Sequence, residues 1–270
     1  MIKILQLLSF SSLILLFACN SSHNTSRSTE HTENSDTLAY TIKTYRIESE
    51  LKSKSTDSLS DTTYFQVTYP QFEDKAINTY IQSLLVFNDN PDTSFNNIEE
   101  VGKAFINSYE DFQKKEVSSP WAWYSNIQAH VVENNPSYVS IEVNYDDFMG
   151  GAHGNHGTIF SNYNLSSKRQ IELNDIISND SIAAFIQIAK DIFIKQEEID
   201  GKEKTFDNFF FENGEFSLNN NFLLKEKSIL YLYNVYEIKP YSDGTTKLEI
   251  PYNKIMSLLS EEGKNILRIK

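Results

Sequence analysis

Residues 146–157, which read Asp-Asp-Phe-Met-Gly-Gly-Ala-His-Gly-Asn-His-Gly, hold four of the nine glycines of this 270-residue chain. Glycine is favoured where the backbone takes a positive φ or passes close to another group. The stretch lies between two runs that are typical of strands, 138–145 and 158–165. A plain hairpin needs only two such turn residues. The excess therefore predicts a shaped loop that carries two histidines and two aspartates.

The segments around this loop alternate between strand and helix patterns. Strands show apolar residues at every second position, and helices show them every three or four residues. The predicted strands are 40–51, 62–69 (ended by Pro70), 121–132, 138–145, 158–165, 222–224, 228–238 and 248–251, and the predicted helices are 72–85, 95–112, 182–198 and 253–259. This order predicts an α+β fold with mainly antiparallel sheets, helices packed on one face and two sub-domains.

The first 18 residues are typical of an export signal. Lys3 precedes an apolar run that is too short and too interrupted for a lasting transmembrane helix. The run ends in Leu-Phe-Ala-Cys at 16–19, which resembles a bacterial lipobox and implies cleavage before Cys19 with a lipid on its sulfur. Cys19 is the only cysteine, so an intramolecular disulfide is excluded. We predict a lipid-anchored protein of the bacterial cell envelope that faces the periplasm.

Composition separates a tether from the folded part and limits the partners. Residues 19–37 are rich in Ser, Thr and Asn, which predicts a flexible segment because so few apolar groups cannot offset the ordering entropy. The formal net charge is −13. Such a charge argues against nucleic acid as a partner and favours a basic protein or a cationic ligand.

Two separated groups of motifs resemble one known family. The first group is 144–155, 163–165 and 173–177, and the second is 222–224, 230–233, 236–244 and 250–252. Together they resemble the paired extracytoplasmic domains of unknown function in the PdaC peptidoglycan deacetylase and in RsiV, the lysozyme-sensing anti-sigma factor. The resemblance implies a PdaC-like α+β domain at 38–173 and an RsiV-like domain at 174–270. It also implies recognition of a lysozyme-like protein or of peptidoglycan, because the chain has no room for a separate deacetylase domain.

The candidate ligand-binding residues come from both groups of motifs. They are Gly150, Gly151, His153, Gly154 and Asn155 in the loop, and Tyr236, Glu237 and Tyr241 in the distant segment. Tyrosines here, which also include Tyr231 and Tyr233, are either strand-core residues or rings that stack on sugars. We expect the two segments to meet in space and form one site. No catalytic residue and no cofactor is predicted.

Two alternatives remain open at this stage. His153, His156 and Glu237 have the side chains that a zinc-assisted hydrolase needs, but the tight spacing of known zinc motifs is absent. Alternatively, His153 packs beneath the loop and bonds the backbone, and the chain is a structural lipoprotein without a small ligand.

Overall fold

The structure is a computed structural model that describes residues 37–53, 62–86, 94–115, 121–199 and 206–269. The export signal, Cys19 and nearly all of the tether lie outside these residues. No helix within the described ranges is long and apolar enough to cross a membrane. The strands are β1 (Tyr40–Lys52), β2 (Thr62–Phe72), β3 (Tyr124–Asn134), β4 (Tyr138–Phe148), β5 (Asn155–Asn164), β6 (Arg169–Gln170), β7 (Phe222–Leu224), β8 (Ser228–Tyr233) and β9 (Thr246–Pro251). The α-helices are α1 (Lys75–Leu85), α2 (Ile98–Lys115), α3 (Leu173–Ile176), α4 (Ile182–Gln196) and α5 (Glu261–Leu267).

The strands form two sheets. Six of them pair in the order β1-β2-β3-β4-β5-β6, and the last three pair in the order β7-β8-β9. Neighbouring strands are antiparallel except β2 and β3, which pair in parallel over five residues. A parallel pair needs a long connection, and here α1 and α2 lie within it. The predicted α+β fold with mainly antiparallel sheets is confirmed.

The large sheet is covered on both faces around β4 and β5. Val139, Ile141 and Val143 on β4 pack in one cluster with α1. Tyr138 belongs instead to the core of the C-terminal part, and its neighbour Ser140 bonds to β7. Alternate residues of one strand point to opposite faces. Helices α1 and α2 therefore lie on one face of the large sheet, and the three-stranded sheet, which packs with α4 and α5, lies on the other.

Asparagine side chains hold the outer edge of β5 against the C-terminal part. Asn234 accepts a hydrogen bond from Thr158 N at 2.8 Å and donates one to Thr158 O at 3.0 Å. Asn221 accepts from Phe160 N at 2.7 Å and also donates to Thr158 O, at 2.9 Å. A strand edge exposes unpaired backbone groups that must find partners. The two amides make the hydrogen bonds that a neighbouring strand would otherwise make.

A third asparagine, Asn162 on β5, bonds to β7. We call the contacts of Asn162, Asn221 and Asn234 between β5 and the C-terminal part the junction. Asn162 is 1% exposed, and its carboxamide donates to Phe222 O at 2.9 Å and accepts from Leu224 N at 2.9 Å. Ser140 Oγ donates to the same amide oxygen at 2.7 Å. A buried polar group is tolerated only when it is hydrogen-bonded. These hydrogen bonds satisfy both the amide of Asn162 and the backbone groups of β7.

The central hairpin is longer than its sequence predicts, and its loop is shorter. Asp146 pairs with His156 and Asp147 pairs with Asn155, so β4 and β5 extend into the glycine-rich stretch. The predicted twelve-residue loop is therefore a six-residue connection, 149–154. Aspartate and asparagine are poor strand formers in isolation. Here pairing of β4 with β3 as far as Phe148 overrides that preference.

The prediction that Pro70 ends the second strand is wrong. Pro70 lies inside β2 opposite Ile42. Tyr64 N donates to Trp123 O, so even-numbered N–H groups of β2 point toward the β3 side. Pairing with β3 ends at Thr68, and a proline beyond that point removes no ladder hydrogen bond.

The closing helix lies later than predicted. Residues 253–259 contribute two short 3-10 turns, Tyr252–Lys254 and Met256–Leu258. The α-helix that follows is α5, which begins after Ser260. The Ser260 side chain accepts from Gly263 N at 2.8 Å, and this N-terminal cap fixes where the helix begins.

Removing the Asn162 amide should destabilise the junction selectively. Asn162→Ala leaves Phe222 O and Leu224 N without their partners in a buried position. We expect the free energy of unfolding to fall by about 2–4 kcal/mol, because each buried unpaired group costs roughly 1–3 kcal/mol. Urea denaturation measures this change. Asn220→Ala, at an exposed asparagine, is the control and should change stability by less than about 0.5 kcal/mol; equal losses in both variants would contradict the assignment.

An ion pair at the start of α3 should give a pH-dependent contribution. Arg169 donates two hydrogen bonds of 2.7 Å to the Asp175 carboxylate, which also accepts from Glu172 N at 2.8 Å. The bonds from Arg169 hold the pKa of Asp175 below its ordinary value of 3.8, against a smaller opposing effect of burial. A lowered folded-state pKa means that the stabilisation is present above the ordinary value and is lost as pH falls through the lowered one.

Comparison with Asp175→Asn measures that contribution. At pH 7 the natural protein should be more stable by about 1 kcal/mol, since half-exposed Arg169 limits the strength of the pair. The difference should shrink as the pH falls below 3.8. Asp207→Asn, which removes an exposed carboxylate elsewhere in the chain, is the control for the loss of one negative charge. A constant difference for Asp175→Asn from pH 7 to pH 2 would refute the linkage.

Candidate functional site

The central hairpin and the distant tyrosine segment meet. The ring of His153 stacks on Tyr241 with a centroid distance of 5.0 Å and an interplanar angle of 25°. Tyr241 also contacts Tyr236 at 5.3 Å and His156, edge-on, at 5.5 Å. We call these four residues the aromatic cluster. Tyr241 is its centre because it contacts each of the other three rings.

Glycines shape the hairpin tip that carries His153. Gly150 and Gly151 have φ angles of 92° and 103°, a region that side chains rarely enter. A Cβ on Gly154 would lie 2.9 Å from the carbonyl oxygen of Asp147. The predicted loop glycines therefore fix the position of the tip. Their part in ligand binding stays a prediction.

His153 is held from within the tip and is open to solvent. Its Nδ1 lies 2.8 Å from the carbonyl oxygen of Gly154, which accepts a hydrogen bond from the Nδ1–H tautomer. The predicted bond of His153 to the backbone is present, whereas the prediction that His153 packs beneath the loop is wrong, because the residue is exposed. His156 is also exposed, with Nδ1 3.4 Å from the Tyr241 hydroxyl.

Tyr236 has an unusual backbone conformation for a tyrosine. Its φ is 67° and its side chain is 57% exposed. It occupies the third position of a turn closed by Glu237 N donating to Asn234 O at 3.2 Å. Positive φ at this position normally selects glycine or asparagine. A large side chain there costs about 1 kcal/mol or more, although it is not needed to fill a core.

Glu237 stabilises this turn. Its carboxylate accepts from Asn234 N at 2.8 Å and from the Asn219 amide at 2.6 Å. These bonds use both carboxylate oxygens for local structure. Asn155, the remaining predicted residue, pairs with Asp147 beside the hairpin tip, and its amide donates to the Asp147 carboxylate at 3.4 Å.

The histidines do not fit the zinc centre that a hydrolase hypothesis needs. Across the described ranges, no group of three or more His, Cys, Asp or Glu side chains could hold a metal ion. Glu237 makes its hydrogen bonds to Asn219 and Asn234, whereas His153 is held by Gly154. The arrangement is a ring surface suited to stacking, with hydrogen-bonding groups at its edges.

The tyrosine segment divides between core and surface. Tyr231 and Tyr233 are at most 1% exposed, and burial raises the pKa of both hydroxyls above the ordinary value. Tyr233 donates its hydroxyl hydrogen to Ser217 O at 2.7 Å. Tyr236 and Tyr241 lie beyond the end of β8 and contribute to the aromatic cluster. The spacing of the tyrosines in the sequence does not by itself show which of them are buried and which lie at the surface.

Acidic residues border the cluster. Asp146, close to the hairpin tip, is exposed and accepts a hydrogen bond from the Tyr124 hydroxyl at 3.3 Å. Burial, and then the charge of Asp146, raise the pKa of Tyr124. Asp243 is exposed two residues after Tyr241. The surroundings therefore favour neutral or cationic ligands over anions.

Sequence reasoning missed the asparagines that position the site. Asn219 and Asn221 precede β7, and Asn234 follows β8. Asn234 bonds both to Thr158 and, through its backbone, to Glu237. The only signal for them was a run of three asparagines at 219–221, a composition that otherwise indicates a loop.

Comparisons with known proteins divide the chain in two. The family model "Deacetylase PdaC" matches residues 53–156, and the model "Protein of unknown function (DUF3298)" matches residues 174–253. None of the curated proteins matches the chain significantly.

Two solved structures share the fold. A DUF3298 family member from Bacteroides fragilis is 21% identical with a TM-score of 0.66, and the match covers 87% of this chain and 100% of that one. A DUF3298 family protein from Pseudomonas aeruginosa is 21% identical with a TM-score of 0.56, covering 82% and 96% respectively. The chain therefore has a PdaC match followed in tandem by a DUF3298 match, and the two solved structures show its fold.

Proposed function

We propose that this chain is a non-catalytic recognition module of the bacterial cell envelope that binds cell-wall glycan through the aromatic cluster. Exposed aromatic rings offer flat apolar faces on which sugar rings stack, while tyrosine hydroxyls and imidazole nitrogens can bond the sugar hydroxyls. His153, His156 and Tyr236 are exposed, and Tyr241 joins them into one surface.

The conformation of Tyr236 is the observation that carries this proposal. A tyrosine at φ 67° is strained, and its ring is 57% exposed. Burial therefore contributes little to offset the strain. Strained positions that persist where the surrounding structure holds them are concentrated at binding sites. Binding through the exposed ring gives a reason for a large aromatic residue at this position.

The hydrogen bonds of Glu237 favour recognition over the hydrolase hypothesis, in which Glu237 acts together with His153. Glu237, the predicted partner of His153 in a hydrolase, instead stabilises the turn through Asn219 and Asn234. A general acid or base must lie within hydrogen-bond reach of the reacting group. The contacts of Glu237 are those of a positioning residue.

The proposed setting is the outside of a membrane. Cys19 follows an apolar segment and ends a lipobox-like sequence, so a lipid on Cys19 would anchor the module through the polar tether. A module held close to the cell wall encounters its glycan at a high effective concentration. We propose that the protein faces the periplasm on such an anchor.

Replacing Tyr236 by glycine should separate binding from stability. Tyr236→Gly removes an exposed ring and relieves a positive φ. We expect binding to purified peptidoglycan sacculi, measured by co-sedimentation, to weaken about tenfold, equivalent to roughly 1.4 kcal/mol. The free energy of unfolding should rise by about 1 kcal/mol, the strain being larger than the added freedom of glycine in the unfolded chain.

A matched control uses a second non-glycine residue with positive φ. Lys168 has a φ of 54° in the turn after β5, at the end of that strand opposite the hairpin tip. Lys168→Gly should also stabilise the fold but leave binding to sacculi unchanged. Retention of full binding by Tyr236→Gly would overturn the glycan site, as would failure of the natural protein to sediment with sacculi.

A basic protein of the lysozyme type is the second candidate ligand. The formal net charge of −13 and the exposed Asp146 and Asp243 beside the cluster favour it. Calorimetric titration with a basic lysozyme should then show an affinity that falls steeply between low and physiological salt, because screening weakens complementary charges. The absence of binding at low salt would remove this candidate and leave the glycan as the ligand.

A further inference from the structure

A half-open apolar cleft lies between α2 and the large sheet. Its volume is about 520 Å³, within the range of about 300–1,000 Å³ that is usual for small-molecule sites. Its apolar wall includes Phe65, Phe105, Ile127, Val143 and Ile159. The cleft is distinct from the aromatic cluster, because none of the four cluster residues lines it.

The cleft forms because α2 approaches the sheet unevenly. A Cβ on Gly102 would lie 2.9 Å from the Phe65 ring and 3.0 Å from Ile47, so the glycine permits close packing of α2 on β1 and β2. On the side toward β3 to β5, Ala104 and Ser108 line the space instead. Their short side chains do not reach across to the sheet.

The sheet side of the cleft is polar at the end near the hairpin tip and apolar along the rest. Ser125 pairs with Asp147, and Asp147 pairs with Asn155, so these polar residues form one row across β3, β4 and β5. All three line the cleft. The Asn155 amide donates to Asp147 Oδ1 at 3.4 Å. This row lies beside the hairpin tip, at one end of the cleft.

Successive rows deeper in the cleft are apolar. Two residues further along each strand is the row of Ile127, Tyr145 and Gly157, and the next row contains Val143 and Ile159. Residues two apart on a strand share a face. A molecule in this cleft therefore meets a carboxylate and an amide at one end and a hydrocarbon surface along the rest.

We propose that this cleft binds a small amphiphile with an apolar chain or ring body and a cationic ammonium head group that is held at Asp147. A carboxylate accepts hydrogen bonds and attracts positive charge, whereas it repels a carboxylate head. The apolar body is stabilised by burial at roughly 25 cal/mol per Å². The hairpin then serves two ligands on its two faces, since Asn155 and His156 point to opposite sides of β5.

Binding of an apolar fluorophore tests the cleft directly. N-phenyl-1-naphthylamine, an uncharged probe, should bind the natural protein at one saturable site with increased fluorescence. Ala104→Trp places an indole in the cleft and should weaken this binding at least tenfold. Lys103→Trp adds the same side chain at the neighbouring, exposed position on α2, and it should bind the probe as the natural protein does. Thermal unfolding of both variants identifies any loss of fold.

Displacement by two ligands of equal chain length tests the head group. Decylammonium, kept below its micelle concentration, should displace the probe at a concentration at least tenfold lower than decanoate. Asp147→Asn keeps the size of the side chain and should abolish this preference while the probe still binds. That variant answers the question even if Ala104→Trp does not fold.

The outcomes are distinct from those of the glycan experiment. Absence of saturable probe binding, or equal binding by Ala104→Trp when it is folded, would overturn the cleft as a site. Equal displacement by decylammonium and decanoate would overturn the cationic head group. Tyr236→Gly should bind the probe normally, because Tyr236 does not line the cleft.

Discussion

The pairing of asparagine amides with the outer edge of β5 is the interaction on which the rest of the structure depends. Thr158 and Phe160 expose backbone groups there, and the amides of Asn221 and Asn234 supply their partners. Without these amides, the buried edge would lose several hydrogen bonds at roughly 1–3 kcal/mol for each group left unpaired. An additional strand could also pair with the backbone groups of Thr158 and Phe160. Pairing through side chains leaves the C-terminal part free to lie over the face of the sheet as well.

This junction also determines where the aromatic cluster lies. Asn234 is bonded to β5 through its side chain and to Glu237 through its backbone. The turn that carries Tyr236 is therefore fixed relative to the strand that carries His156. His153 and Tyr241 then meet over the hairpin tip. A surface formed by two separate segments is held in register by one set of amide contacts.

Apolar periodicity predicted most of the strands, α1, α2 and α4, because burial of one face is the dominant constraint on them. The prediction that a proline ends the strand failed at Pro70, because the N–H groups at even-numbered positions of β2 point to a side that has no partner strand there. The meeting of the two motifs was a hypothesis motivated by the glycines in both of them. The bond from Asn234 to Thr158 that fixes this meeting joins positions 76 residues apart and leaves no local pattern. The cleft could not be predicted from the sequence either, because it depends on how closely α2 approaches the sheet at Gly102.

The same amides explain how a strained tyrosine is tolerated at the cluster. Positive φ at Tyr236 opposes folding by about 1 kcal/mol or more. Asn234 makes two side-chain bonds to Thr158, and the Glu237 carboxylate accepts one bond from Asn234 N within the turn and one from the Asn219 amide outside it. Each contributes about 0.5–1.5 kcal/mol net, so together they exceed the strain. The turn therefore keeps one conformation and presents the ring in a fixed orientation, which reduces the ordering entropy lost when a ligand binds.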